Sequence, residues 1–157
     1  MVRSSHSSSH AHALEIAEEC LASRARQLTR TLTRAYDQAL RGQGVTSAQL
    51  GMLVAISLAA PTTAAWVGRR LDLERSTVSR NLARLIAAGL VTTDDGLRVT
   101  ERGAATIRLC HPLWRRAQQE VTSSLEPRAL RLLASVRSPS TEPKAKAKGQ
   151  GERHGKR

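Results

Sequence analysis

Residues 67–103 read VGRRLDLERSTVSRNLARLIAAGLVTTDDGLRVTERG. The hydrophobic period changes partway along this stretch, and the change decides the fold. From Arg75 to about Ala88, the residues Val78, Leu82, Leu85 and Ile86 recur at spacings of three and four, which predicts a helix with one apolar stripe. Ahead of it, Thr62 or Thr63 starts a short helix, Ala64 to Leu71. Asp72-Leu73-Glu74 joins the two tightly, with Glu74 where an acidic cap would begin the second helix. Gly89 closes that helix at its C-terminal end. The period then becomes two. Leu90–Thr93 and Leu97–Val99 are short β stretches around Asp94-Asp95-Gly96, and Asp-Gly between β-prone residues predicts a hairpin.

Helix, tight turn, helix and hairpin make a winged helix-turn-helix. The face of the second helix away from its apolar stripe carries Ser76, Thr77, Ser79, Arg80, Asn81 and Arg84, with Arg75 at its start. Small polar side chains let a helix approach base edges closely, and arginine pairs bidentately with guanine or a phosphate. A merely solvated face would mix Glu with Lys. Here Arg75, Arg80 and Arg84 have no acid between them. In the hairpin Arg98 is the one cation, and Asp94 and Asp95 would face phosphates unfavourably.

Outward from this unit the pattern is helical. From Ala13 to about Leu40, Leu14, Ala17, Leu21, Ala25, Leu28, Leu32, Ala35 and Ala39 mark one long helix, stopped by Gly42-Gln43-Gly44. Its length of about 40 Å needs a partner along the whole apolar stripe, and that partner can be another chain. A row of Arg26, Arg30 and Arg34 runs along it separately. Thr46 or Ser47 caps a second helix, apolar on nearly every side and therefore the most buried, which Pro61 ends. Thr100 caps a fifth helix reaching to about Leu125, in which Pro112 predicts a kink or break. A sixth runs from Arg128 to Val136. The fold class is mainly α: six helices plus a short two-stranded wing.

Composition narrows the function. The 157 residues carry 25 Lys+Arg against 13 Asp+Glu, a net charge of +12. Such an excess favours a polyanionic partner. Residues 137–157 hold seven Lys/Arg and two acids, with no apolar side chain larger than Ala, and read as a disordered basic tail. That tail is either a solubility extension or a sequence-blind phosphate contact. The Ser- and His-rich residues 1–12 read as a flexible terminus. His6, His10 and His12 lack the further fixed ligands that a metal site needs. Two cysteines make no disulfide framework, no secretory signal opens the chain, and no apolar run approaches the ~18 residues of a membrane span. The chain therefore reads as cytoplasmic and nucleoid-associated, with no membrane partner. Paired carboxylates, a Gly-rich phosphate loop and a nucleophile with its base are all missing, so neither an enzyme nor a cofactor is expected.

At residues 67–91 the sequence resembles the MarR (multiple antibiotic resistance regulator) family of winged-helix transcription regulators, and Val99-Thr100-Glu101-Arg102-Gly103 looks like the family's opening of the fifth helix. Leu28–Asp37 and Leu113–Gln118 resemble one branch of it, and the likeness extends over about 14–136. The resemblance implies a DNA-binding domain over 13–136. Within it, 13–41 and 101–136 would form the dimerisation part, with the N- and C-terminal helices of two chains interlocked. Residues 46–100 would form the winged helix-turn-helix. It also implies a homodimer and a repressor, with helix 75–88 of each chain in the major groove of half a palindrome of double-stranded DNA. Ser76, Thr77, Ser79, Arg80 and Arg84 would make its contacts, with Asn81 beside them. The family's longer wing carries an Asp-x-Arg motif, which this clipped hairpin lacks. Two other readings stay open: a winged-helix module that binds an acidic protein, and a low-specificity architectural DNA binder.

The resemblance further implies a small-molecule effector, often an aromatic anion, or an oxidant sensed through cysteine. Cys20, early in the first helix, and Tyr36, the single tyrosine, are the redox candidates. Trp66 and Trp114 could line a ligand pocket. Packing is the simpler reading for Cys20, for Cys110 beside His111, and for both tryptophans.

Overall fold

A computed structural model describes residues 3–136, with side chains from Ser9 onward. The basic tail at 137–157 lies outside the described residues. Helices α1 (Arg3–Glu19), α2 (Leu21–Ala39), α3 (Ser47–Ala59), α4 (Ala64–Leu71) and α5 (Arg75–Ala87) come first. Strands β1 (Val91–Thr92) and β2 (Arg98–Val99) follow, then α6 (Glu101–Ser124) and α7 (Pro127–Ser135). None of these helices is long and apolar enough to cross a membrane.

Among the described residues seven helices stand where the sequence reading has six, because the long first one is broken. Cys20 is extended, with φ −66° and ψ 102°, and serves as N-cap of α2. Its N–H still donates to the Ile16 carbonyl at 3.1 Å, closing α1. The Arg24 Nε then donates to the Glu18 carbonyl at 3.1 Å. That guanidinium satisfies a carbonyl that the end of α1 leaves open, so the break needs neither Pro nor Gly. Residues 3–12, read from sequence as a flexible terminus, are the first turns of α1.

The other boundaries follow local chemistry. The Thr46 hydroxyl accepts from the Gln49 N–H, and the Gln49 side chain accepts from the Thr46 N–H at 2.9 Å, a reciprocal capping box on α3. Asp37 at the end of α2 accepts the Ser47 N–H at 2.7 Å, tying two helices together at that cap. Thr63 caps α4 and Thr100 caps α6. Gly89, at φ +67°, follows α5; its N–H donates to Ile86 and that of Leu90 to Leu85, the two bonds of a Schellman ending. Pro112 does not break α6. It is exposed, and the hydrogen bond it cannot make would have gone to the carbonyl of Arg108, also on the exposed side.

The core is aliphatic. Met52, Leu53, Ile56, Val67 and Leu85 are almost wholly buried, and Leu40, Val78, Leu82, Leu90, Val91 and Cys110 join them in one cluster. Each such side chain contributes about 1.5–3 kcal/mol of burial, before entropy is charged against it. Helix α3 lies at the centre, with more buried residues than any other described helix. Yet its outward stripe stays open, with Leu58 72% exposed. Ile86, assigned to the inner stripe of α5 by its spacing, is also exposed.

Candidate nucleic-acid interface

The helix-turn-helix is set by three backbone positions. Asp72 ends α4 in the left-handed conformation, at φ 52°. The Leu73 N–H then donates back to the Gly68 carbonyl at 2.9 Å. Gly68 is buried, and a Cβ there would stand 3.3 Å from the Leu73 carbonyl oxygen and 3.4 Å from a Val78 methyl. Glycine at 68 thus lets α4 and α5 approach closely.

This packing turns Val78, Leu82 and Leu85 of α5 inward and leaves Arg75, Ser76, Ser79, Arg80, Ala83 and Arg84 exposed. Thr77 and Asn81 are half-buried on the flank, and the Asn81 side-chain amide donates to the Thr77 carbonyl at 3.0 Å. That bond holds the amide against its own helix and keeps its oxygen available. Glu74 stands at the N-cap, but its side chain makes no capping hydrogen bond. Arg69 of α4 is exposed as well, a cation the motif reading passed over. The ion pairs among the described residues are Arg108 with Glu101 and Arg116 with Glu120, both on α6. The arginines of α4, α5 and the wing are therefore not neutralised by ion pairs among the described residues.

The wing is short. Val91 pairs with Val99 and Thr92 with Arg98 in antiparallel register. Thr62, ahead of α4, adds a bridge to Leu97, its N–H donating at 3.2 Å and its carbonyl accepting at 2.9 Å. Arg98 is exposed on β2. At the tip, the Thr92 hydroxyl donates to the Asp94 carboxylate at 2.7 Å, and Asp95 takes φ 63°. The Asp94 carboxylate is held in place there.

The ligand and redox candidates separate. Tyr36 of α2 and its C-cap residue Leu40 face Ser47, Leu50, Gly51 and Val54 of α3 across a cavity of about 470 Å³, closed on its third side by Ile107, His111 and Trp114 of α6. His111 and Trp114 stack with ring centres 6.2 Å apart. The Tyr36 hydroxyl donates to the Gln118 side-chain oxygen, and burial pushes its pKa up. Trp66 does not line this cavity; it packs against the core. Cys20 is not part of it either. Its thiol pKa is lowered, chiefly by the hydrogen bond to the Ser23 side chain, whereas burial pushes the Cys110 thiol up. Of the residues around it, the sequence reading named Tyr36 and Trp114, whereas Ser47, Gly51 and Val54 on α3, with Ile107 and His111 on α6, went unrecognised as lining. Their only trace there is helical spacing, which a core face shares.

A sequence profile of the MarR family matches residues 43–97. No curated protein sequence matches the chain. Among solved structures, the chain is similar to the transcriptional regulator MosR of M. tuberculosis, with 37% identity, 74% of this chain and 91% of that one covered, and a TM-score of 0.67. MosR in complex with DNA matches at 36% identity over 74% and 93% of the two chains, with a TM-score of 0.66. The reduced form of MarR from E. coli matches at 25% identity over 73% and 87%, with a TM-score of 0.61. With 37% identity to MosR over 74% of its length and the family profile on its winged helix-turn-helix, the chain belongs to the MarR family of DNA-binding transcriptional regulators.

Proposed function

We propose that the protein is a homodimeric repressor that binds a palindromic operator in double-stranded DNA and is released by a small-molecule effector. The observation that carries this reading is the exposed face of α5: Arg75, Ser76, Ser79, Arg80 and Arg84 stand clear of the core and are not neutralised by ion pairs among the described residues. Ser76, Thr77, Ser79, Arg80, Asn81 and Arg84 would read base edges and phosphates, with Arg75 and Arg98 on the flanking backbone. MosR, similar over 74% of this chain, is a regulator whose structure in complex with DNA is known.

Exposed apolar side chains support the dimer. Leu21 on α2, Leu109 on α6 and Leu132 on α7 are 79%, 64% and 70% exposed, and Val136 just after α7 is 74% exposed. Such surface, lying on the helices read from sequence as the dimerisation part, favours a second copy as its cover. The cavity between α2, α3 and α6 has the size and apolar lining of a ligand site. It touches both the dimerisation helices and α3, against which α4 and α5 pack, so an occupant there would bear on the spacing of two recognition helices.

The test is selection of bound duplexes by the full-length protein, followed by footprinting and sedimentation. The expected result is a dimer protecting two half-sites about one helical turn apart. Tight binding with no footprint preference would support an architectural role instead. Failure to bind any duplex at low salt would support a protein-interaction module.

A further inference from the structure

The two N-terminal helices carry opposite charge. From Ser4 to Ser23 the chain has Glu15, Glu18 and Glu19 and neither Lys nor Arg. From Leu21 to Tyr36 it has Arg24, Arg26, Arg30 and Arg34 and no acid. The break at Cys20 divides the two sets, and each helix has the wrong sign at the joined ends. Glu18 and Glu19 lie at the end of α1, where the helix dipole is negative, and Arg24 lies near the start of α2, where it is positive. Along α2, Arg26, Arg30 and Arg34 set like charges about 6 Å apart, which repel. The ion pairs among the described residues join Arg108 to Glu101 and Arg116 to Glu120, and so relieve neither set.

Both sets stand outward. Every α1 side chain from Ser9 to Glu19 is exposed. Helix α2 packs against α6. Its half-buried Leu28, Leu32, Ala35 and Ala39 mark one side, and at about 100° per residue the exposed row Arg26, Arg30 and Arg34 lies on the other. A second copy of the chain supplies what each set lacks. In a two-fold pair, residue i meets j and j meets i. Helices α1 and α2 have 17 and 19 residues, so α1 of one copy can lie along α2 of its partner over nearly its whole length. That contact sets glutamates against arginines, and the two-fold makes it twice. Pairing of α1 with α1 would set acid on acid. Leu14, Ile16 and Leu21, 48%, 67% and 79% exposed, add apolar surface to the same stretch.

We propose that the acidic helix α1 docks on the arginine row of α2 in a second copy of this chain, so that the two chains clasp each other through two identical acid–arginine contacts. The inference rests on the homodimer reading above and names the surface and the charges that hold it.

The experiment exchanges the charges in the full-length protein. One variant carries Glu15→Arg, Glu18→Arg and Glu19→Arg; the other carries Arg26→Glu, Arg30→Glu and Arg34→Glu. Each set is reversed whole, because one exposed ion pair contributes little and the loss of a single arginine is expected to leave the dimer intact. All six side chains are exposed in the single chain, so both variants are expected to fold, which circular dichroism verifies. Self-association is read by sedimentation at low salt, and mixed dimers by co-purification of differently tagged copies.

The expected result is that each variant alone dissociates at least about tenfold more readily than wild type, with the difference shrinking as salt rises. An equimolar mixture of the two is expected to recover wild-type affinity as a mixed dimer, since both contacts then join opposite charges again. Variants that self-associate as wild type does overturn the clasp and leave the homodimer standing. Losses that mixing does not recover overturn the pairing of α1 with α2. A wild type that stays monomeric at every concentration overturns the homodimer reading and this inference with it.

Discussion

Gly103 stands so close to Leu90 that a Cβ added to it would lie 2.2 Å from the Leu90 carbonyl oxygen. The first turn of α6 therefore rests directly on the backbone that leaves α5 for the wing. Thr100 fastens the same junction. Its hydroxyl accepts from the Gly103 N–H at 3.0 Å and donates to the Gly89 carbonyl at 2.7 Å, and its own N–H donates to Leu90 at 3.1 Å. Through these contacts α6, which also lines the cavity, is joined to the C-terminal end of α5.

Gly103→Ala is expected to cost about 1–3 kcal/mol of stability, because the methyl must displace backbone rather than a flexible side chain. Thermal unfolding would show a melting temperature lower by several degrees. An unchanged melting temperature would mean that α6 slides away from Leu90 freely.

Arg80→Ala is expected to weaken binding to the preferred duplex by about 1–3 kcal/mol if the guanidinium reads a base, and to relax preference at one position of each half-site. Arg30→Ala, on exposed α2, is the comparison and should leave both unchanged. Gel-shift titration at fixed salt against a set of single-base variants separates the two outcomes. A uniform loss across all variants would instead make Arg80 a phosphate contact.

Asp95→Asn removes a negative charge from the exposed wing tip, and asparagine tolerates the φ of 63° at that position. The expected outcome is severalfold tighter binding to any duplex, with the gain fading as salt rises. Asp94 is the poorer choice, since its carboxylate holds the Thr92 hydroxyl and a substitution there would also loosen the turn. Equal affinity of Asp95→Asn and wild type at low salt would place the wing tip away from the phosphates.

The two thiols should respond to alkylation in opposite ways. The Ser23 hydrogen bond stabilises the Cys20 thiolate and lowers its pKa, so the rate of Cys20 alkylation should reach half its maximum at a pH below that of a free cysteine. Ser23→Ala removes the largest cause and should move the midpoint up. Cys110, fully buried with its pKa raised, should react only on unfolding. Mass spectrometry of the native protein across a pH series measures both. A Cys20 midpoint unmoved by Ser23→Ala would remove the hydrogen bond as the cause.

The sequence by itself determined what depends on neighbours in the chain. The caps (to within one residue at Thr46 and Thr63, and at Thr100), the turn at Asp72, the left-handed Gly89 and the Asp-Gly hairpin are each decided by a few adjacent residues, and period alone placed Val78, Leu82 and Leu85, though not Ile86, on the buried stripe of α5. The arginines and serines of the candidate interface were legible for the same reason, since a helix with one face buried must present the other. Tertiary structure decided the rest. The break at Cys20 depends on a guanidinium four residues on that caps the end of the preceding helix, and no propensity at position 20 announces it. Tyr36 and Trp114 came together, while Trp66 and Cys20 did not, because that depends on how α2, α3 and α6 cross. Helical spacing reports that a face is apolar, and it looks the same whether that face packs against a neighbouring helix, a second copy or a cavity. Only the crossing of the helices set Gly51, Ile107 and His111 beside Tyr36 and Trp114 as the wall of a site.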